Sequence, residues 1–163
     1  MKLKLYIILS LVLGIVSCKS NKEDMNNVIA IYNDEDFSCL KNTFISIRGG
    51  VNNDTIILLI SKSDNGCSPY IVTVNNQTKE IAIIDGNLPK RDCNGYFTDE
   101  EIGNYVKCFF KYNFQVLSVD LEGNVFINPN QENPPSLLRV EKDKEPKDIK
   151  YFKLYKDNWY VRK

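Results

Sequence analysis

The chain predicts an α+β fold: a mostly antiparallel β-sheet carrying one well-defined amphipathic helix at about residues 99–112. Three observations predict it. Short β-rich runs separated by turn residues fill residues 43–84 and 114–162. One capped, apolar-striped segment lies between these two sets. The strand–helix–strand alternation of a parallel sheet does not recur.

Taken in order, Met25, Val28, Ile29 and Tyr32 fall at helical spacing. Asn33-Asp34-Glu35-Asp36 reads as a capped acidic first turn followed by Phe37, Leu40 and Phe44, so one short helix is expected within 25–42. Phe44 to Arg48 is a short strand stopped by Gly49-Gly50. Thr55 to Ser61 is a continuous apolar run of strand length, which predicts a central strand covered on both faces. Tyr70–Val74 and Glu80–Ile84 read as a hairpin over Asn75 to Lys79. Thr98-Asp99-Glu100-Glu101 is a capping box, with Thr98 as N-cap and Glu101 at N3, and its acids suit the helix dipole. Ile102, Tyr105, Val106, Phe109 and Tyr112 then form the apolar face, opposite Gly103, Asn104, Lys107 and Lys111. Phe114–Asp120 and Val125–Asn128 flank the tight turn Leu121 to Asn124. Ser136–Val140 is a further strand, and Tyr151–Tyr155 with Trp159–Arg162 form a last hairpin over Asp157-Asn158.

The chain has 21 basic and 21 acidic residues and no histidine. That balance offers no long-range attraction for nucleic acid, which is not expected as a partner.

The N-terminus carries an address. Lys2 and Lys4 precede an apolar run from Leu5 to Val16. A basic flank and an apolar core of this length form a secretory signal, and the run is too short for a bilayer core, which needs about 20 residues. Ile15-Val16-Ser17-Cys18 resembles the bacterial lipobox. The resemblance covers only the N-terminus and implies cleavage before Cys18, with lipid on the Cys18 sulfur. It divides the chain into a signal peptide (1–17), a flexible tether (18–27) and a single α+β domain (28–163). It also implies a palmitate-type acyl anchor in the cell envelope, on an outer-membrane, periplasmic or cell-surface side. Two or more acyl chains anchor stably where one holds only marginally. The polar stretch after Cys18 contains Lys22-Glu23-Asp24, similar to the acidic surface-export signals of Bacteroidota lipoproteins.

With Cys18 assigned to lipid, Cys39, Cys67, Cys93 and Cys108 remain. An even number in an oxidising compartment predicts two disulfides out of three possible connectivities. Cys67 and Cys93 both lie in turn-rich loops, which favours Cys67–Cys93 with Cys39–Cys108 as the second bridge. The alternative is four free, buried small hydrophobes. No CxxC pair exists and there is no histidine, so no metal site is expected.

Absent histidine removes a Ser-His-Asp triad and any histidine base. Carboxylate chemistry stays open through Asp34/Glu35/Asp36, Asp99/Glu100/Glu101 or Asp120/Glu122, each with a simpler explanation as a helix start or a turn. Asp120-x-Glu122-Gly123-Asn124 lacks the Gly and Glu positions of a calcium loop and reads as a turn. Asp54-Thr55-Ile56 resembles the short O-glycosylation motif of Bacteroidota secreted proteins, which would place sugar on Thr55. Trp159, Tyr160 and Tyr155 on the last hairpin are either core packing or a binding surface.

The sequence therefore predicts a non-enzymatic protein-interaction module without a cofactor: an inhibitor, an immunity factor or an accessory subunit with an envelope protein partner. The alternatives are a glycan-binding surface lipoprotein and, behind it, a carboxylate-dependent hydrolase.

Overall fold

The computed structural model of the chain describes residues 25–50, 54–64, 66–86, 96–129, 135–142, 144–146 and 148–163. The expectations placed on residues 1–24, among them the signal peptide and Cys18, lie outside the described residues, as does Cys93.

The chain forms two compact units, Met1–Asp36 and Phe37–Lys163. In the first, helix α1 spans 25–32. Residues 25–27, expected to belong to the tether, are its first turn. The segment expected to start a helix instead ends one: the Glu35 N–H donates to the Tyr32 carbonyl, and Asn33 Nδ2 donates to Asp34 Oδ1 at 2.8 Å. Short polar side chains compete with the helical backbone in this way. Between it and Thr43 only Ser38–Leu40 is helical, as a single 3₁₀ turn, and Phe44 belongs to a strand.

The second unit is a nine-stranded sheet in which every neighbouring pair is antiparallel. Its strands are β1 (Thr43–Ile47), β2 (Thr55–Ser61), β3 (Tyr70–Asn75), β4 (Ile81–Asp85), β5 (Val116–Val119), β6 (Val125–Asn128), β7 (Leu137–Arg139), β8 (Phe152–Lys156) and β9 (Trp159–Arg162). The spatial order is β4-β3-β2-β1-β5-β6-β7-β9-β8. Strands β1 to β4 form a meander running outward to one edge. Helix α2 (Asp99–Phe109) follows, and β5 returns to the middle beside β1.

One register row explains the core. Tyr70, Ile60, Ile45, Leu117, Ile127, Leu137 and Val161 face one another across seven strands, and all are buried. Period-two alternation puts these side chains on one face. Strand β5 is buried at all four positions. Strand β2 corrects the sequence reading. Leu58 and Ile60 are buried, but Ile57 and Leu59 on the other face are only half-covered. Its run of aliphatics reflects β propensity and one full face, not coverage on both.

Helix α2 begins as the sequence predicts. Thr98 Oγ1 accepts from the Glu101 N–H at 3.2 Å, and a Glu101 carboxylate oxygen accepts from the Thr98 N–H at 2.7 Å. It ends at Phe109, short of residue 112. Tyr112 leaves the helix and packs its ring 4.7 Å from Phe37. A disulfide joins Cys39 in the 3₁₀ turn to Cys108 in α2, with Cα atoms 6.4 Å apart. Cys67 is also disulfide-bonded.

Candidate functional site

A groove of about 470 Å³ lies between α2 and the β3–β4 hairpin. The hairpin is held by its own turn chemistry. Asn75 Oδ1 accepts from the Gln77 and Thr78 N–H groups at 2.8 and 2.9 Å, and Lys79 takes a left-handed conformation at φ +59°. An Asn side chain that mimics a backbone turn stabilises such a tip. Its far side presents Lys79, Glu80 and Ile81 to the groove.

The opposite wall is α2, where Gly103 and Lys107 of the face that reads as polar in sequence meet Val106 of the apolar face. Gly103, Val106 and Lys107 line it, with Phe110 and Lys111 at its end. Lys79 Nζ lies 5.1 Å from the centre of the Phe110 ring. It also donates to the carbonyl and side-chain oxygens of Asn76. The groove thus has an apolar floor and three ammonium groups on its rim. Among the described residues Glu80 is the one acid lining it, and its carboxylate accepts from the Thr78 hydroxyl at 3.3 Å. Lys107, in the last turn of α2, suits the negative end of the helix dipole, and Lys111 lies two residues beyond the end of the helix. Among the described residues none of the three lysines forms an ion pair with a carboxylate.

Gly103 is the unexpected member. Glycine inside a helix costs about 1 kcal/mol relative to alanine. Close packing does not require it, since a Cβ at Gly103 would meet nothing within 4 Å. Its effect is to leave the groove wall open at backbone level.

An aromatic cluster fixes this wall to the sheet. Tyr70 Oη donates to the Phe97 carbonyl at 3.1 Å, and Tyr96 Oη donates to the Ser68 carbonyl at 2.8 Å. The Tyr96 ring meets Tyr70 edge-on and Phe97 at a tilt; Phe97 in turn meets Tyr105 edge-on. Burial, then the neighbouring Tyr70, pushes the Tyr96 phenol up to about 12. Burial also raises the Tyr105 phenol.

The residues singled out in sequence do not form one site. Trp159 is fully buried, which removes it from any binding surface: it sits in register with Arg139 and belongs to the core. Tyr155 and Tyr160 are half-buried on β8 and β9. Thr55 begins β2, half-buried and in register with Asn75. The carboxylates are dispersed. Asp34 accepts from Asn33, Glu101 caps α2, and the Asp120 carboxylate accepts from the Asn124 N–H and side-chain amide, both at 2.8 Å. Among the described residues no cluster of three Cys, Asp or Glu side chains could hold a metal ion. Also among them, no helix is long and apolar enough to cross a membrane.

Sequence reading misses the groove because its walls, Thr78 to Ile81 and Gly103 to Lys111, lie far apart in the chain. The local signal that marks one wall is Gly103 inside an otherwise well-formed helix. Comparison with protein-family models, curated proteins and solved structures finds no match.

Proposed function

We propose that the chain is a lipid-anchored envelope protein that binds a protein partner in the groove between α2 and the β3–β4 hairpin. The observation that carries this reading is the combination of an apolar floor with three lysines that lack carboxylate partners among the described residues. Binding sites are concave and mostly apolar, with a few charged groups that fix orientation. The anchor rests on the lipobox at Ile15 to Cys18 and the apolar run before it.

Two measurements test this reading. A photo-crosslinking residue at Thr78, an exposed position on the hairpin wall of the groove, in cells making the lipidated chain, is expected to give one discrete protein adduct. Lys79→Glu with Lys107→Glu and Lys111→Glu should abolish it. Absence of any protein adduct would contradict the binding role. An alkynyl fatty acid fed to the same cells should label the wild-type chain but not Cys18→Ser.

A second reading is favoured by one observation. A cleft of about 140 Å³ is lined by Tyr151, Phe152, Phe126, Arg162 and Asp148, and Tyr151 is 48% exposed beside it. An exposed aromatic ring near a carboxylate and a guanidinium is suited to a sugar ring. Glycan-array binding lost on Tyr151→Ala would support this; no binding to any glycan would exclude it.

A further inference from the structure

The two edges of the sheet are built differently. Strand β8 closes one edge with Phe152-Lys153-Leu154-Tyr155-Lys156, whose two lysines are exposed and whose ladder to β9 is broken by a register shift. Charged side chains, lysine above all, and bulges are the usual means of keeping a free edge from pairing with another chain. Strand β4 closes the other edge with Ile81-Ala82-Ile83-Ile84-Asp85. It shares the register shift but has no lysine and no proline within it. Ala82 is exposed, and Ile83 is 60% exposed. Among the described residues no strand pairs with the outer side of β4. The one charge within β4 is Asp85 at its far end; the lysines lie instead in the groove beside its first residue, where Lys79, Lys107 and Lys111 line the same concavity as Ile81 and Phe110.

We infer that the partner enters this groove as an extended, acidic segment that pairs with β4 as a tenth strand. This deepens the protein-binding reading and rests on it. Backbone hydrogen bonds along β4 supply affinity in this mode, and alternate side chains supply specificity. Apolar side chains of the segment would lie over Ile81, Val106 and Phe110. Its carboxylates would meet the three ammonium groups that line the groove. Gly103 admits the segment's side chains close to the helix backbone. A helical ligand would satisfy the groove but leave the β4 edge open, so the edge favours a strand.

The test uses the full chain and three probes: a decapeptide alternating Val and Glu, its counterpart with Lys for Glu, and vesicles of equal parts phosphatidylglycerol and phosphatidylcholine. Binding is read by titration, and amide hydrogen exchange is followed along the chain. The acidic peptide should bind and slow exchange in β4 by about tenfold or more, the behaviour of edge amides gaining partners. Gly103→Leu, which fills the groove without changing charge, should weaken binding by about tenfold, as should Lys107→Gln with Lys111→Gln. A retained cooperative thermal transition shows each variant folded, and the two changes act independently. The lysine peptide should not bind. The inference is overturned if the acidic peptide fails to bind, if it protects α2 but leaves β4 exchange unchanged, or if the vesicles compete for the same groove. The crosslink at Thr78 separates the two readings: a protein adduct there with no β4 protection retains the binding role and rejects the strand.

Discussion

Strand β5 is buried at every position, whereas strand β4 is buried at none. Both are short, aliphatic and antiparallel to their neighbours. The difference lies in what surrounds them. β5 has β1 on one side and β6 on the other, and its side chains are covered on both faces. β4 has β3 on one side only among the described residues, with the α2 groove beside its first residue. The same kind of sequence thus serves two ends: closed around β5 it supplies stability, and open at β4 it supplies a surface. Stability is not uniform across a fold, and binding elements come from its less stable end.

The contrast is broken most severely from the closed side. Trp159→Ala removes a fully buried indole and should lose about 3–5 kcal/mol, read as a fall in the denaturant midpoint. A small or absent change would mean that the β7–β9 side is not the closed half. Next comes the disulfide. Cys39→Ala with Cys108→Ala opens a link spanning 69 positions and should cost about 2–4 kcal/mol. Because the bridge holds α2, the same double variant should weaken groove binding, whereas Trp159→Ala should act through global stability alone.

On the open side the expected changes are smaller. Gly103→Ala should raise stability by up to about 1 kcal/mol, since the new methyl has free space and alanine is the better helix former. A loss of stability would show that the wall is closed. The smallest effect is pH-dependent. Hydrogen bonds from the Thr98 N–H, then from its hydroxyl, hold the Glu101 carboxyl below the usual carboxylate range. A carboxyl with a lowered folded value stabilises in full above its unfolded value, and that contribution is lost as pH falls through the folded one. The thermal midpoints of wild type and Glu101→Gln should therefore differ at neutral pH and converge in acid.

Much of this architecture is legible in the sequence because it is local. The capping box at Thr98 and Glu101 forms as its spacing dictates, and β2 and β6 occupy the predicted residues. The antiparallel α+β class follows from the order of these elements. What is not legible depends on long-range placement. Nothing near Val116 says that β5 will insert beside β1, so the apolar pattern marks β2 as central and does not distinguish β5. Trp159 illustrates the limit for sites: an aromatic on a terminal hairpin reads equally as core or as surface, and its register with Arg139 decides for core. The groove depends on Lys79 and Lys107 approaching from different elements, which neither stretch of sequence encodes alone.

The most direct measurement is amide hydrogen exchange of the free chain, comparing the two strands residue by residue. A closed centre and an open edge predict that β5 amides exchange only through global unfolding, while β4 amides exchange faster by about a hundredfold or more. Equal protection in β4 and β5 would contradict the account, because an edge as well protected as the centre is not free to receive a partner.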